Sequence, residues 1–328
     1  MASERSLVEI SALVDDELRR FEPFMREQMR SRTALLDTVV RYIMKQRGKR
    51  VRPTLVFLSA GLCAPISERA FIGAAMVELL HTATLVHDDV VDQSEERRGM
   101  ASINAVWKNK IAVLVGDYLL SRGLLVAVNN GEFDYLKITS DAVRRMSEGE
   151  LLQLQKKRQK SLDEETYFRI ISDKTASLIS TCCEVGAVSA GVDPEQRQAL
   201  REFGELVGLA FQIRDDVLDY VGRHTLLGKP VGADIRDQKI TLPLIYACRN
   251  APASEAKATI AAVKGRGITK DGVREVVRFV ERYGGIDAAQ QKALELRDQA
   301  LAHLEPFQES VYKEALRDFA NFVVVRPK

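Results

Sequence analysis

The sequence has few of the residues that mark disulfide-rich, collagenous or linker-rich proteins. Its 328 residues include 20 glycines, 9 prolines, one tryptophan and four cysteines. The cysteines are irregularly spaced, and two of them are adjacent, which argues against a disulfide framework and favours a reducing, cytoplasmic location. The 48 basic and 46 acidic residues leave a net charge of only +2, so nucleic acid is not an expected partner.

The chain also has little that resembles a targeting segment, a membrane span or a linker. Its first 16 residues contain four acidic residues and lack the basic and apolar regions of a signal peptide. The most apolar stretch, residues 111–128, is interrupted by Asp117 and Arg122, so we expect a buried helix there and at most peripheral contact with a membrane. With no linker to divide it, the chain is expected to form a single domain over residues 1–328.

Helix-start and helix-stop signals recur along the chain, whereas strand-like alternation of β-branched and polar residues is nearly absent. Asp193 followed by Pro194 predicts the start of one long helix, and a capping box at 161–164 predicts another. The glycines at 284–285 are expected to end a helix, with Asp287 capping the next, and residues 222–236 to form the main loop. The expected fold class is therefore all-α.

Three carboxylates, Asp88, Asp89 and Asp92, follow a strongly apolar helical run at residues 71–86. Residues four apart lie on the same face of a helix, so Asp88 and Asp92 are neighbours and repel each other. The helix dipole also disfavours anions at a C-terminal end. This cluster is unfavourable unless a cation neutralises it, which points to a divalent metal ion.

The same spacing recurs in a second apolar run, at Asp215, Asp216 and Asp219. Two copies at the loop ends of two helices favour a shared metal site over two solvated helix ends. Because only oxygen ligands are offered, the expected ion is Mg²⁺, with Mn²⁺ as a possible substitute, and Mg²⁺ commonly completes its shell with a substrate phosphate. Glu78 and His81 have the Glu-x-x-His spacing of di-iron bundles, but that site needs the motif twice and it is found once.

Cations that match these anions lie elsewhere in the sequence. Gly48 is followed by three cations at a predicted helix start, with Pro53 expected at its first position, and Arg97 and Arg98 follow the first acidic cluster closely. Amide groups at a helix start together with Lys and Arg form a ready phosphate site. Further cations occur at Lys174, Lys229 and Lys239. Two acidic helix ends ringed by cations are what an organic diphosphate with its metal ions requires.

In type and order these residues resemble the trans-isoprenyl diphosphate synthase family, the polyprenyl synthetases. The resemblance covers about residues 45–245 and rests on segments 48–53, 81–92, 97–99, 116–120, 149–150, 174–175, 211–216, 228–232 and 239–243. It implies one large bundle of helices around a deep central cavity, the isoprenoid synthase fold, present as a homodimer. It also implies Mg-dependent condensation of isopentenyl diphosphate with an allylic prenyl diphosphate.

The resemblance further implies a role for each candidate residue. The Mg²⁺ ligands would be Asp88, Asp89, Asp92, Asp215, Asp216 and Asp219. The allylic diphosphate would be bound by Arg97, Lys174, Lys229 and Lys239. The isopentenyl diphosphate would be bound without metal by Lys49, Arg52, His81 and Arg98. The catalytic positions would be Lys174, Thr175 and Gln212, of which Thr175 and Gln212 would face the developing carbocation.

Product length is expected to depend on the helix that carries the first acidic cluster. At a rise of ~1.5 Å per residue, Ala83 and Thr84 lie about 6 to 7.5 Å below Asp88, and Leu80 lies deeper. In the family, a bulky aromatic residue at the position of Ala83 stops growth early. The small residue here predicts a long-chain, all-trans, octaprenyl-like product, and a geranylgeranyl- or farnesyl-type short-chain synthase is the alternative.

Two other functions share some of these features. A terpene cyclase of the same fold also ionises a prenyl diphosphate with metal-bound aspartates, but it has no second diphosphate for Lys49, Arg52, His81 and Arg98 to bind. A regulatory subunit of a heteromeric synthase typically lacks an aspartate cluster, and both clusters are intact here. A synthase is therefore the favoured interpretation.

Overall fold

The computed structural model describes residues 5–46, 48–157, 163–221, 232–265 and 267–326. These residues are almost entirely helical, which confirms the expected all-α class. The first part of the chain forms α1 (Leu7–Ala12), α2 (Asp15–Gln28), α3 (Ala34–Lys45), α4 (Val51–Cys63) and α5 (Glu68–Val91). A two-stranded antiparallel ribbon follows, made of β1 (Glu96–Arg97) and β2 (Met100–Ala101).

The remaining helices continue in chain order. They are α6 (Ile103–Asn129), α7 (Phe133–Lys157), α8 (Glu164–Ile171), a π-helical turn (Ser172–Ala176), α9 (Ser177–Ser189), α10 (Pro194–Val221), α11 (Ala233–Arg236), α12 (Leu242–Asn250), α13 (Ala253–Lys264), α14 (Lys270–Arg282), α15 (Gly285–Ala302) and α16 (Val311–Val325). A π-turn contains more residues than an α-helical turn and is frequent at functional sites.

Helix α5 lies at the centre of the fold, packed against α4, α6, α7 and α9. Helix α10 packs against α9, α15 and α16 on the neighbouring side. Apolar side chains from all these helices join one contiguous buried cluster, with Phe57, Phe71, Tyr135 and Phe203 among its largest members. A helix surrounded by others is apolar on most of its faces, which explains the long apolar run before the first acidic cluster.

Several predicted helix boundaries are confirmed and others are wrong. Asp193 caps α10, because its carboxylate accepts the Gln196 amide at 2.8 Å. Helix α15 is instead preceded by Gly284 at a φ of 66°, so Asp287 lies within the first turn and does not cap it. The start predicted at 161–164 is shifted, because Asp163 caps α8 through the Thr166 amide and Glu164 is the first helical residue; Ser161, the N-cap of the predicted box, lies outside the described residues.

Two further expectations need correction. Pro53 is the third residue of α4, not the first. The predicted loop at 222–236 ends in the short helix α11, while its residues 222–231 lie outside the described residues.

Helix α6 departs most from its prediction, because it is not a buried helix. It leaves apolar side chains exposed along its length, namely Val106, Val113, Leu114, Leu124, Leu125 and Val128. By length and composition alone, α5 and α6 could each cross a membrane; the apolar window of α5 is 67% buried within the fold and that of α6 is 39% buried. A core helix of a globular fold meets the same length and composition test when it is mostly buried, as α5 is. The two helices therefore differ in burial and not in length or composition.

Candidate active site

A cavity of about 1270 Å³ opens between the central helices, and many predicted site residues form its wall. Those lining it are Lys49, Arg52, His81, Ala83, Thr84, Asp88, Asp89, Arg97, Arg98, Lys174 and Thr175. The described candidates that lie outside the wall are Leu80, Asp92, Gln212, Asp215, Asp216, Asp219 and Lys239. Lys229 lies outside the described residues.

The first acidic cluster occupies the C-terminal end of α5, where the three carboxylates differ in environment. Asp89 is only 2% exposed and accepts a 2.7 Å hydrogen bond from Arg97 Nε. Asp88 is half-buried, and burial raises the pKa of its carboxyl while the nearby Lys174 opposes the rise. Asp92 is exposed and ends the helix, with its amide donating to the Asp88 carbonyl at 2.8 Å.

The Asp88 carboxylate accepts no hydrogen bond from any described residue, although it lies partly out of water. Burial and the neighbouring carboxylates of Glu150 and Asp92 disfavour the charged form of Asp88, and a metal ion with substrate phosphate would relieve this. Among the described residues, however, no three His, Cys, Asp or Glu side chains are placed to hold a metal by themselves. The cluster therefore fits an ion that takes much of its shell from a ligand.

Opposite this cluster, the π-helical turn carries Lys174 and Thr175. Lys174 forms an ion pair with Glu150 of α7. Thr175 donates from Oγ1 to Gln212 Oε1 at 2.9 Å, and the Gln212 amide donates in turn to Asp216 Oδ1 at 2.9 Å. These two hydrogen bonds fix the orientation of the Gln212 side-chain amide on α10.

The second acidic cluster, on α10, is engaged by the protein itself. Asp216 is buried and accepts hydrogen bonds from Gln212 and, at 2.7 Å, from the Tyr167 hydroxyl. Burial raises the pKa of the Asp216 carboxyl to about 8, with the carboxylate of Asp234 adding to the rise. This carboxyl group belongs to a hydrogen-bond chain with Tyr167 and Gln212 and does not line the cavity.

The other two carboxylates of that cluster have different partners. Asp219 accepts the backbone amides of Ala233 at 3.2 Å and Asp234 at 3.0 Å, which places its negative charge at the start of α11. Asp215 is exposed and accepts a 3.0 Å hydrogen bond from Arg326 Nη2. The resemblance implies that Asp215, Asp216 and Asp219 together form a ligand set, and in this structure each carboxyl group has its own protein partners.

A basic region lies along the cavity wall at the start of α4 and at the ribbon. Arg52 Nε and His81 Nδ1 are buried and have no hydrogen-bond partner within the described chain. Burial, together with the neighbouring positive charge of Arg52 and Arg98, keeps the pKa of His81 well below its ordinary value. Buried polar atoms without partners are costly, so this region is prepared for an anionic ligand.

Backbone geometry brings these cations together. Arg98 has a φ of 53°, a left-handed conformation that non-glycine residues adopt rarely, and its Nη1 donates to the Gln46 carbonyl at 2.9 Å. A Cβ at Gly48 would lie 2.7 Å from Arg98 Nη1, so glycine lets the guanidinium cross this turn. Arg50 also has a positive φ and is directed to Glu22 at 2.6 Å.

Glu78, whose single Glu-x-x-His spacing does not by itself indicate a site, lines the same cavity. Burial raises the pKa of its carboxyl, and Arg52, Arg98 and Arg50 oppose the rise. The Glu-x-x-His spacing was the available signal, because it places Glu78 one turn from His81 on α5.

Lys239 lies away from the cavity wall in this structure. Its ammonium group lies 2.9 Å from Asp234 Oδ1 and 3.5 Å from Asp237 Oδ2. Although burial opposes it, the Asp234 carboxylate raises the pKa of Lys239. The lysine is therefore held as a cation at the start of α11, beside the second acidic cluster.

The three predicted chain-length positions also separate. Ala83 is 1% exposed and, like Thr84, lines the cavity. The Thr84 hydroxyl is satisfied by the His81 carbonyl at 2.9 Å, so its methyl group is available to an apolar ligand. Leu80 instead packs into the buried apolar cluster and does not reach the cavity wall.

Comparisons with known proteins agree with this geometry. The polyprenyl synthetase family model matches residues 33–280. The chain is 37% identical to an all-trans-nonaprenyl-diphosphate synthase of Rhodobacter capsulatus, covering 97% of each chain. It is 34% identical to the octaprenyl diphosphate synthase of Escherichia coli K12, covering 98% of this chain and 100% of that one.

A solved structure shows the same similarity in three dimensions. The polyprenyl synthase of Caulobacter crescentus, crystallised with calcium and isoprenyl diphosphate, superposes with a TM-score of 0.90. The two sequences are 36% identical, and the match covers 99% of both chains.

Proposed function

Because this chain belongs to the polyprenyl synthetase family, we propose that its cavity joins isopentenyl diphosphate to an allylic prenyl diphosphate, repeatedly, to give a long-chain all-trans polyprenyl diphosphate. The chain is thus a prenyltransferase. The observation that carries the proposal is that two separate groups of charged side chains lie on one apolar cavity, as two diphosphates would require. One consists of Asp88 and Asp89 with Arg97 and Lys174, and the other surrounds Arg52.

The acidic region fits a metal-assisted diphosphate site. Oxygen donors at Asp88, which accepts no hydrogen bond from the described residues, suit Mg²⁺, and Mn²⁺ could replace it. When bound, such an ion would supply Lewis-acid stabilisation of the departing diphosphate. The solved relative from Caulobacter was crystallised with calcium and isoprenyl diphosphate, which supports a divalent cation and this ligand class. We extend the ligand set to Asp89 and Asp92 of the first cluster and to Asp215, Asp216 and Asp219 of the second.

The chain's own residues account for the remaining requirements of the first step. Arg97 and Lys174 line the cavity and place positive charge beside the allylic diphosphate. Lys229 and Lys239 are proposed as the further cations for that diphosphate. As the allylic C–O bond breaks, both electrons leave with the diphosphate oxygen, and these cations stabilise the charge that develops there. The apolar wall excludes water from the carbocation that remains.

The second step uses the other region. Lys49, Arg52, His81 and Arg98 hold the isopentenyl diphosphate, so that its double bond forms the new C–C bond with the allylic carbon. A proton then leaves the isopentenyl unit for the released diphosphate, and the product is one five-carbon unit longer. Thr175 lines the cavity and presents its hydroxyl oxygen towards the positive charge, and Gln212, which accepts the Thr175 hydroxyl at 2.9 Å, holds that oxygen in place from behind the wall.

A long product is favoured by the small side chain at Ala83 and by the long-chain synthases among the relatives. The test is incubation of the protein with Mg²⁺, labelled isopentenyl diphosphate and farnesyl or geranylgeranyl diphosphate, followed by dephosphorylation and chromatography. A ladder ending in one long prenol is expected. A stop at geranylgeranyl would leave the reaction intact and refute the chain length. No incorporation with any divalent metal would refute the synthase and favour a cyclase or a partner-dependent subunit.

We further infer that the chain folds as a single domain and works in the cytoplasm as a homodimer, with at most peripheral membrane contact. Continuity of the buried cluster from α1 to α16 supports one domain, and four free cysteines suit a reducing compartment. The exposed apolar side of α6, including Leu114 and Leu125, supports pairing with a second copy. Sedimentation equilibrium tests the dimer, and a monomer at micromolar concentration would refute it.

A further inference from the structure

Arg145 of α7 lies outside the cavity, yet it contacts the two residues that immediately precede Lys174. Its Nε donates to Asp173 Oδ1 at 3.0 Å, and its Nη2 donates to the Ser172 hydroxyl at 2.8 Å. Its two terminal nitrogens also reach the Glu205 carboxylate of α10 at 3.1 and 2.7 Å. One guanidinium group therefore joins α7, the π-helical turn and α10.

The network around Arg145 is shielded from water and closed by a further hydrogen bond. The side chains of Arg145, Asp173 and Glu205 are 22%, 16% and 23% exposed, so the pairs are shielded from water. The Ser172 hydroxyl donates to Glu205 Oε1 at 2.5 Å, which closes the network. Hydrogen bonds between a guanidinium group and two carboxylates are charge-assisted and directional, and bidentate pairing adds geometric specificity.

The π-helical turn is also enclosed tightly by neighbouring helices. A Cβ at Gly149 of α7 would lie 2.9 Å from Asp173 Cβ and 3.1 Å from the Lys174 nitrogen. A Cβ at Gly208 of α10 would lie 2.5 Å from Ala176 Cα. Both helices thus touch the turn at glycines, and small movements of it are opposed from two sides.

The side chains of Lys174 and Thr175 extend from this turn to the cavity wall. They contact the same two helices, Lys174 through Glu150 of α7 and Thr175 through Gln212 of α10. The turn is therefore tied to α7 and α10 on both its outer and its cavity sides. We propose that Arg145 is a positioning residue, which sets the direction of Lys174 by fixing the π-helical turn. The proposal rests on the proposed synthase reaction, in which Lys174 binds the allylic diphosphate.

The variant Arg145→Met removes the donors and keeps an unbranched side chain of similar length. We expect kcat to fall about 10- to 100-fold, because a displacement of about 1 Å at a reacting centre has that effect. The KM for isopentenyl diphosphate should stay within about twofold, since the basic region is on other elements. Arg144→Met is the matched control, because Arg144 is the neighbouring, exposed residue and pairs only on the surface with Asp141 and Glu148.

A double-mutant cycle with Lys174→Met separates positioning from general stability. If Arg145 acts through Lys174, adding Arg145→Met to Lys174→Met should change the remaining rate by no more than about twofold. Arg145→Lys, which keeps the charge without the fork, should restore the rate only in part. Should Arg145→Met fold poorly, Ser172→Ala removes one acceptor and the same split of kcat from KM applies.

Three results would overturn the proposal. The first is a kcat of Arg145→Met equal to that of Arg144→Met. The second is a kcat of the double variant that falls by the product of the two single losses. The third is a fall in kcat accompanied by proportional changes in the melting temperature and in the KM for both substrates. The wild-type and Arg144→Met rates test the synthase reaction itself. Its failure would show in these two proteins, whereas failure of the positioning role would appear only in the Arg145 variants.

Discussion

Replacing Ala83 by phenylalanine should shorten the product of this enzyme. Ala83 lines the cavity, is 1% exposed and precedes Asp88 by five residues, or about 7.5 Å along the helix axis. A growing chain held at Asp88 must therefore pass this side chain early. An aromatic ring there would occupy the space that the hydrocarbon needs, and the chain would have to displace it.

The size of the effect follows from packing. Forcing extra carbon atoms into a filled space costs about 1 to 3 kcal/mol. If that cost falls on the transition state, each condensation beyond the block is slowed about 5- to 150-fold. Products should therefore stop near farnesyl or geranylgeranyl diphosphate, while the first condensation keeps its rate.

The assay is chromatography of the dephosphorylated prenols made by matched amounts of each variant. Ala83→Ser, which adds one small atom, should leave the distribution unchanged. Leu80→Phe is the more informative control, because Leu80 lies in the buried cluster and not on the cavity wall. It should lower stability without shortening the product. An unchanged distribution for Ala83→Phe, or equal shortening by Leu80→Phe, would refute this reasoning.

Three other outcomes are expected. Because burial lowers the pKa of His81, the unfolded state binds more protons, so the free energy of unfolding should rise with pH up to the ordinary pKa of 6.5 and then level off. NMR titration should show that the His81 ring is neutral and that bound diphosphate makes it easier to protonate, whereas titration of His81 at the ordinary pKa would contradict this. Arg326→Gln frees Asp215 from its 3.0 Å contact, so the Mg²⁺ concentration for half-maximal rate should fall by up to about fivefold, whereas an increase would show that Arg326 helps to bind substrate. Gly149→Ala should destabilise the protein by about 1 to 3 kcal/mol in thermal unfolding, because its Cβ would meet the π-helical turn; Gly123→Ala, with its nearest neighbour 3.7 Å away, should not.

Much of the fold follows from local signals in the sequence. The start of α10 was predictable because Asp193 and Pro194 act on the adjacent turn, whatever the helix packs against. The burial of α5 was predictable from its apolar run, because a central helix must bury most of its faces. The boundary before α15 was not, since Gly284 and Asp287 both offer a plausible start and the choice depends on packing. There a Cβ at Gly285 would lie 2.1 Å from the Pro243 carbonyl.

The exposed side of α6 shows a different limit of sequence patterns. Its apolar residues recur around most of the helix, which is the pattern of a core helix. Such a pattern predicts that the apolar side chains are buried, but it does not indicate whether they are buried by the same chain or by another. Val113 and Leu114 remain exposed because the helices of this chain pack on the other side of α6. The sequence thus predicted burial, and the proposed second copy is what would supply it.

The two acidic clusters show most clearly what spacing does and does not determine. Both have carboxylates at the same intervals near the end of a long helix, and the sequence treats them alike. Asp88 nevertheless accepts no hydrogen bond from the described chain, whereas Asp215 and Asp219 bind groups supplied by Arg326 and by the start of α11. Those partners lie 111 and 14 residues away, beyond the reach of any helical pattern. Spacing therefore determines which face of a helix carries the carboxylates, while contacts between distant segments decide which carboxylate is available to a cation.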